Sequence, residues 1–269
     1  MSRYLEMFES LKARGEGAFV PFTMLGDPSP ESSVELLKTF EAAGADALEL
    51  GLPFSDPVAD GPTIQAAATR TLAAGIGSTE ALGVIRAYRE QGGRLPIGLL
   101  VYANLVVNRG RGEFYRAMRE LEVDSVLVAD VPTREAGPFA AAARAVGVAP
   151  VLIAAPNSTP KQLARIAELS EGYTYVVSRA GVTGAEAQAS FEHQALLAEL
   201  ARLGAPPPLL GFGISSPEQV RAAIASGAAG AICGSAIVAQ IPRHRELAAL
   251  TTSLFEFVTA MKAATRPQG

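Results

Sequence analysis

Residues 34 to 51 read Val34-Glu35-Leu36-Leu37-Lys38-Thr39-Phe40-Glu41-Ala42-Ala43-Gly44-Ala45-Asp46-Ala47-Leu48-Glu49-Leu50-Gly51. Val34, Leu37, Phe40 and Ala43 fall at helical spacing and give the first half an apolar stripe. Gly44 stands where a left-handed helix cap favours a residue without Cβ, and the apolar run from Ala47 to Gly51 then reads as a strand. The unit is a helix, a glycine and a buried strand, and Gly147, Gly204 and Gly227 punctuate later stretches in the same way.

Working outward, apolar runs recur at Ala18 to Leu25, Ala47 to Gly51, Pro96 to Tyr102, Ser125 to Val131, Ala149 to Ala155, Tyr173 to Arg179, Pro208 to Ile214 and Gly230 to Ile237, which makes eight strands. Segments with helical periodicity, such as Leu163, Ile166, Ala167 and Leu169, lie between them. Alternation of strand and helix implies parallel pairing, and near-continuous apolar strands suit a sheet covered on both faces. Eight such units close into a (β/α)8 TIM barrel, with an open doubly wound sheet as the alternative. The expectation is a single domain over residues 1–269 of the α/β class. Residues 2 to 14 place Tyr4, Met7, Phe8 and Leu11 at helical spacing, an extra N-terminal helix to close the bottom of the barrel. A further helix over Pro62 to Ala74 is inserted after strand two.

Bulk properties exclude several functions. The 269 residues carry a formal charge of -4 and no run of Lys and Arg, which argues against nucleic acid as a partner. Cys233 is the only cysteine, so no intrachain disulfide forms. Charged residues interrupt the first 17 positions, unlike a secretory signal, and the chain reads as cytoplasmic. Residues 222–241 are uncharged but rich in Ala, Gly and Ser, and read as a helix end, a buried strand and a phosphate turn instead of a membrane span.

Glu49 alternates with Leu48 and Leu50; with the leucines on the helix layer, it points into the barrel mouth. The other reading is a structural ion pair, with Arg179 as a partner. An apolar surrounding would raise its pKa, as a group that both gives and takes a proton near neutrality requires. Asp60 precedes Pro62 and reads equally as a helix cap or a catalyst, Asp56 before Pro57 as a turn former, and Asp130 as structural. Gly211-Phe212-Gly213 and Gly234-Ser235 end the last two strands, where backbone N–H groups cradle phosphate in such barrels. The glycines of Arg179-Ala180-Gly181-Val182-Thr183-Gly184-Ala185 read as a mobile flap. None of Lys12, Lys38, Lys161 and Lys262 ends a strand, which argues against a Schiff base, and the placement of His193 and His244 argues against a histidine metal site. Acid/base catalysis by carboxylates on a phosphate-anchored substrate is what remains.

Several motifs are more specific than these patterns: Ala18-Phe19-Val20-Pro21-Phe22 with Leu25-Gly26-Asp27-Pro28, Leu48 to Pro57, Ala59-Asp60-Gly61-Pro62-Thr63-Ile64-Gln65, Tyr102-Ala103-Asn104, Val128-Ala129-Asp130-Val131-Pro132, Ser178 to Gly184, and Gly211 to Ser215. On these the chain resembles the tryptophan synthase alpha subunits from Phe8 to Arg266. The resemblance implies a lyase of L-tryptophan biosynthesis that cleaves indole-3-glycerol phosphate into indole and glyceraldehyde 3-phosphate by a retro-aldol reaction, without a cofactor or metal of its own. It implies that Glu49 shuttles protons and that Asp60 binds the indole N–H. Phe22, Leu100, Leu127, Ala129 and Ile153 would line the indole pocket, with Tyr175 beside Glu49 and Thr183 closing onto Asp60. Gly184, Gly213, Gly234 and Ser235 would hold the phosphate. A beta subunit that uses pyridoxal phosphate would pair with the chain in an alpha2beta2 heterotetramer through Asp56, Pro57, Asn104, Asn108 and Pro132. Cys233 and Thr23-Met24 depart from the family pattern, with Cys233 expected to touch on phosphate affinity. Two other readings keep the fold: a phosphate-binding barrel isomerase, and a barrel without turnover that regulates a beta partner.

Overall fold

A computed structural model describes residues 2–177 and 189–266. Helix α1 (Arg3–Arg14) starts at Ser2, whose side chain accepts from the Leu5 N–H, and leads into β1 (Ala18–Met24). Then follow α2 (Pro30–Ala42), β2 (Leu48–Gly51), α3 (Pro62–Ala73), α4 (Ser78–Glu90), β3 (Ile97–Val101), α5 (Ala103–Arg109), α6 (Arg111–Glu120) and β4 (Ser125–Val128). The second half runs α7 (Gly137–Arg144), β5 (Ala149–Val151), β6 (Ile153–Ala154), α8 (Pro160–Leu169), β7 (Thr174–Val177), α9 (Ala189–Arg202), β8 (Pro208–Gly211), α10 (Pro217–Ala225), β9 (Gly230–Cys233), α11 (Ser235–Val238) and α12 (Leu247–Ala263).

All strand pairs are parallel, in the order β5-β4-β3-β2-β1-β9-β8-β7-β6. The two ends of that order are halves of the fifth apolar run, parted at Leu152, so the ladder returns to its start and the sheet is a nearly closed barrel. The seam has a physical cause: Pro150 brings no N–H to the ladder, while its carbonyl accepts from Glu171 N at 2.7 Å and that of Leu152 from Tyr175 N at 3.1 Å. The barrel expectation holds, with one strand split in two. The eighth run was read too long: Ser235 to Val238 is helical, because a short apolar run does not by itself separate strand from helix. The uncharged 222–241 stretch is accordingly shared by α10, β9 and α11.

Gly44, Gly147, Gly204 and Gly227 all take positive φ, between 69° and 98°, as their place after helix ends predicts. Apolar side chains form two main layers. Leu48, Leu50, Leu99 and Val126 face outward onto the helices with Phe40 and Ile85, whereas Val20, Phe22, Leu127, Tyr173, Tyr175 and Ile232 fill the barrel interior. Tyr4 and Leu11 of α1 belong to the inner layer, so this helix closes the bottom.

Candidate active site

Glu49 lies in register with Phe22 of β1 on one side and Gly98 of β3 on the other. The period of two that turns Leu48 and Leu50 outward turns Glu49 into the interior, where it is 2 % exposed. Its carboxyl accepts from the Tyr173 hydroxyl at 2.9 Å, and the hydroxyls of Tyr4 and Ser125 pair 2.9 Å apart close by. A Cβ on Gly98 would lie 3.0 Å from both the Tyr4 and Ser125 oxygens and 3.2 Å from that of Tyr173, so the glycine leaves space for the hydroxyl group that reaches Glu49. Burial drives the pKa of Glu49 up to about 8, the Tyr173 hydrogen bond pulls it down, and the charge of Asp60 pushes it up again.

Asp60 sits in the loop before α3, with Gly61 as the N-cap of that helix and no side-chain cap bond. Asp60 thus stands one position before the cap, and its carboxylate is bound by the Tyr102 hydroxyl. That hydroxyl also accepts from the Ala59 N–H at 3.2 Å. Burial raises the Asp60 pKa to about 6, against the opposing Tyr102 hydrogen bond. Between pH 6 and 8 the pair thus holds one neutral acid and one carboxylate.

Both acids open into a cavity of about 280 Å³ at the C-terminal mouth, walled by Phe22, Leu100, Tyr175, Ile232, Gly213, Gly234 and Ser235, and on the α3 side by Gly61 to Ile64. Tyr175 stands edge-on to Phe212, with ring centroids 6.1 Å apart. A Cβ at Gly211 would come within 2.2 Å of the Tyr175 hydroxyl, which is why a glycine ends β8. Of the residues singled out from sequence, the cavity brings together Glu49, Asp60, Phe22, Leu100, Tyr175, Gly213, Gly234 and Ser235. Leu127 is buried in the same inner layer, and Ala129 and Ile153 pack against it, but those two border a smaller cavity of about 70 Å³ beside Phe139 and Ala140. Arg179, Thr183, Gly184 and the rest of the expected flap lie outside the described residues.

Cys233 does not face the glycines of the cavity wall. Its thiol is buried in the outer layer under the amides of Ala236 and Ile237, with its pKa raised by burial to about 12. Strand alternation sends Gly234 to the mouth and its neighbour to the helices. Thr23 likewise faces out, fully buried with its hydroxyl unpartnered, while Met24 turns inward. Asp130 accepts from Ala103 N at 2.7 Å at the start of α5, the structural role expected of it. Asp56, Asn104, Asn108 and Pro132 are exposed and Pro57 half-buried on segments that follow β2, β3 and β4.

Sequence reasoning missed several contributors, Ile232 of the cavity wall among them. Tyr173 holds Glu49 directly, and its signal was available, since it shares a strand face with Tyr175. Tyr102, which binds Asp60, was quoted only as part of a motif. Phe212, at φ 63° between two glycines, and Ser215 complete the wall. Among the described residues no three His, Cys, Asp or Glu side chains gather as metal ligands.

A barrel whose mouth presents two carboxylates of divergent, upshifted pKa beside glycine-ended strands belongs to the class of acid/base enzymes of the (β/α)8 fold. The family model for the tryptophan synthase alpha chain matches residues 8–266, and the chain belongs to that family. It is 54% identical to the tryptophan synthase alpha chain of Enterobacter sp. (strain 638) over 267 residues, 99% of each chain. The tryptophan synthase subunit alpha of Legionella pneumophila superposes with a TM-score of 0.88 at 29% identity, covering 98% of both chains. A chain of the tryptophan synthase a2b2 complex of Pyrococcus furiosus does so with 0.84 at 33% identity, covering 92% of this chain and 98% of that one.

Proposed function

We propose that Glu49 and Asp60 carry out the lyase reaction of this family, the retro-aldol cleavage of indole-3-glycerol phosphate into indole and glyceraldehyde 3-phosphate. The observation that carries the assignment of roles is the divergence of the two pKa values, about 8 and about 6, across one cavity. Neutral Glu49 gives its proton to the ring carbon that bears the glycerol chain, and the Asp60 carboxylate accepts the indole N–H and stabilises the positive charge that develops on the ring. The Glu49 carboxylate then takes the proton of the hydroxyl on the adjoining chain carbon. The bond between that carbon and the ring breaks, its electron pair restores indole, and the chain leaves as an aldehyde. Glu49 ends protonated, as it began.

Phe22, Leu100, Tyr175 and Ile232 offer the apolar end that an indole ring needs. Leu127, Ala129 and Ile153 support that end from the inner layer, and Gly213, Gly234 and Ser235, with Gly184, hold the phosphate at the other. The reaction uses no cofactor of this chain, since both proton transfers fall to Glu49.

The beta subunit docks on the loops after β2, β3 and β4, through Asp56, Pro57, Asn104, Asn108 and Pro132, and pyridoxal phosphate belongs to that partner. Val58, 76 % exposed, follows β2 beside Asp56 and Pro57, and Val107, 50 % exposed, lies in α5 beside Asn108; exposed apolar side chains on these segments support the reading. No described helix is long and apolar enough to cross a membrane; we place the chain in the cytoplasm, within one barrel domain. Incubation of wild type and Glu49→Gln with indole-3-glycerol phosphate tests the whole assignment. Wild type releases indole, and the variant binds the substrate without turning it over. A variant that keeps wild-type turnover removes Glu49 from the reaction.

A further inference from the structure

The motif Leu25-Gly26-Asp27-Pro28 finds no use in the chemistry above, yet Asp27 is a carboxylate 1 % exposed at the end of β1. Arg70, in the last turn of α3, grips it with two bonds: Nη2 to Oδ2 at 2.7 Å and Nε to Oδ1 at 3.3 Å. Only the carboxylate of this pair is buried, the Arg70 side chain being 37 % exposed; such a pair is weak evidence for stability, because desolvation of the carboxylate opposes the attraction, and fixing register is the best-attested use of pairs of this kind. Here burial pushes the Asp27 carboxyl above its ordinary pKa in spite of Arg70.

The elements joined by this pair are the ones that place Asp60. The loop holding Asp27 is itself fixed, Leu25 N donating to Gly51 O at 2.9 Å and Gly26 N to the Ser33 hydroxyl at 3.2 Å. A Cβ on Gly26 would lie 3.2 Å from Thr71 Cγ2 and 2.8 Å from Ile76 Cγ2, so the loop rests directly on the C-terminal end of α3. At the other end, about 13 Å away at 1.5 Å per residue, the first turn of α3 is cavity wall, and Gln65 Nε2 donates to the Asp60 carbonyl at 2.8 Å. Helix α3 is thus a short rigid rod clamped at its C-terminus by Arg70 and joined at its N-terminus to Asp60.

We propose that the Asp27–Arg70 ion pair positions Asp60, by fixing the rotation and axial placement of α3 against β1, and so sets the fit of the Asp60 carboxylate to the substrate N–H. Asp27 and Arg70 are positioning residues, not catalytic ones, and the inference rests on the role of Asp60 proposed above. Around Asp60 the titratable groups are Tyr102, which binds it, and Glu49 and Tyr175, which feel its charge. Loosening α3 admits water to Asp60 and brings its ionisation down toward that of an ordinary carboxylate.

The test is the pH profile of indole release by the full chain, for wild type, Asp60→Asn, Asp27→Asn, Arg70→Met, Arg70→Lys and the Asp27→Asn/Arg70→Met double variant. Arg70→Met and Asp27→Asn should each lower kcat at least about 10-fold, since sub-ångström misplacement of a catalytic group costs rate steeply. The acid limb should move below the wild-type midpoint. The double variant should be no worse than the poorer single one, and Arg70→Lys, which keeps the charge but not the fork, should fall between Arg70→Met and wild type. A purely structural pair would lower the melting temperature and leave the acid limb where it is. If Asp60→Asn is inactive while the Arg70 and Asp27 variants keep kcat within about twofold and the acid limb unmoved, the positioning role is overturned and that of Asp60 stands. Should Arg70→Met fail to fold, Arg70→Lys decides by the same criterion. Full activity in Asp60→Asn, or none in wild type, overturns the role of Asp60 and this inference with it.

Discussion

Replacing Tyr173 with phenylalanine removes one hydroxyl from the wall around Glu49 and leaves the ring that packs against Tyr4 at 5.4 Å. That hydroxyl donates to the carboxyl and favours its ionised form, so without it Glu49 holds its proton to higher pH. A hydrogen bond to a charged group contributes roughly 1.5 to 3 kcal/mol, and 1.36 kcal/mol is one pKa unit, so the shift is about one to two units upward. The resting enzyme needs Glu49 neutral, and kcat should fall through about 8 in wild type as the proton is lost. With a midpoint near 8, kcat at pH 9 is about 0.1 of its value at pH 7; with a midpoint near 9 it is about 0.5.

The assay is continuous indole release at saturating substrate from pH 5 to 10, with the ratio of kcat at the two pH values as the readout. This ratio cancels any loss of plateau activity caused by altered packing. A ratio that stays at the wild-type value shows that the Tyr173 hydroxyl does not govern the ionisation that limits turnover. A ratio above 1 in wild type, about 10, that rises to about 50 in the variant shows that Glu49 enters the rate-limiting step ionised, and the proposed order of proton transfers is wrong.

Glu49 also bears on stability: unfolded it titrates near 4.5 and folded near 8, so the folded chain binds the extra proton in that window and stability declines as pH rises through it. Glu49→Gln should therefore be more stable than wild type at pH 8.5, by up to about 5 kcal/mol, and no more stable at pH 4, as read by urea unfolding at both values. Gly230→Ala should destabilise the fold by about 2 to 4 kcal/mol, because its Cβ would sit 2.5 Å from the Ala18 carbonyl in the β1–β9 ladder, and the urea midpoint measures this. Val58→Asp should weaken the complex with a beta subunit at least about 10-fold, by calorimetric titration, while indole release by the chain alone is unchanged. An equal affinity would move the docking surface elsewhere.

The fold was legible because its signal is repeated: eight apolar runs, each preceded by a helix, make one misread boundary harmless. Boundaries failed where periodicity carries no information, as at Ser235 to Val238, too short and too uniformly apolar for a period to show. The split at Leu152 was not readable either, although Pro150 marks the strand where it occurs. For the site, alternation alone placed Glu49 inside, since its neighbours are leucines. Asp60 was not decidable from its surroundings in sequence, because a carboxylate before a proline-initiated helix is a normal cap. Only the fold shows that the cap position is Gly61 and that Tyr102, 42 positions along the chain, holds the carboxylate. Contacts of that separation leave no local trace, and the same holds for Arg70 on Asp27.

The two acids differ because the fold places them in unlike positions. Glu49 is in the middle of a strand between Phe22 and Gly98, 2 % exposed, and the hydrogen bond it accepts comes from a neutral hydroxyl, that of Tyr173. Among the described residues no cation offsets its desolvation, and the neutral acid is the favoured form. Asp60 lies on a loop at the edge of the same cavity, half-buried, and keeps enough contact with water for its ionised form to survive at neutral pH. Because the Asp60 charge itself raises the Glu49 pKa, ionising the one keeps the proton on the other. The arrangement is therefore self-consistent over about two pH units, and any change that opens the loop to water should widen that interval at its acid end.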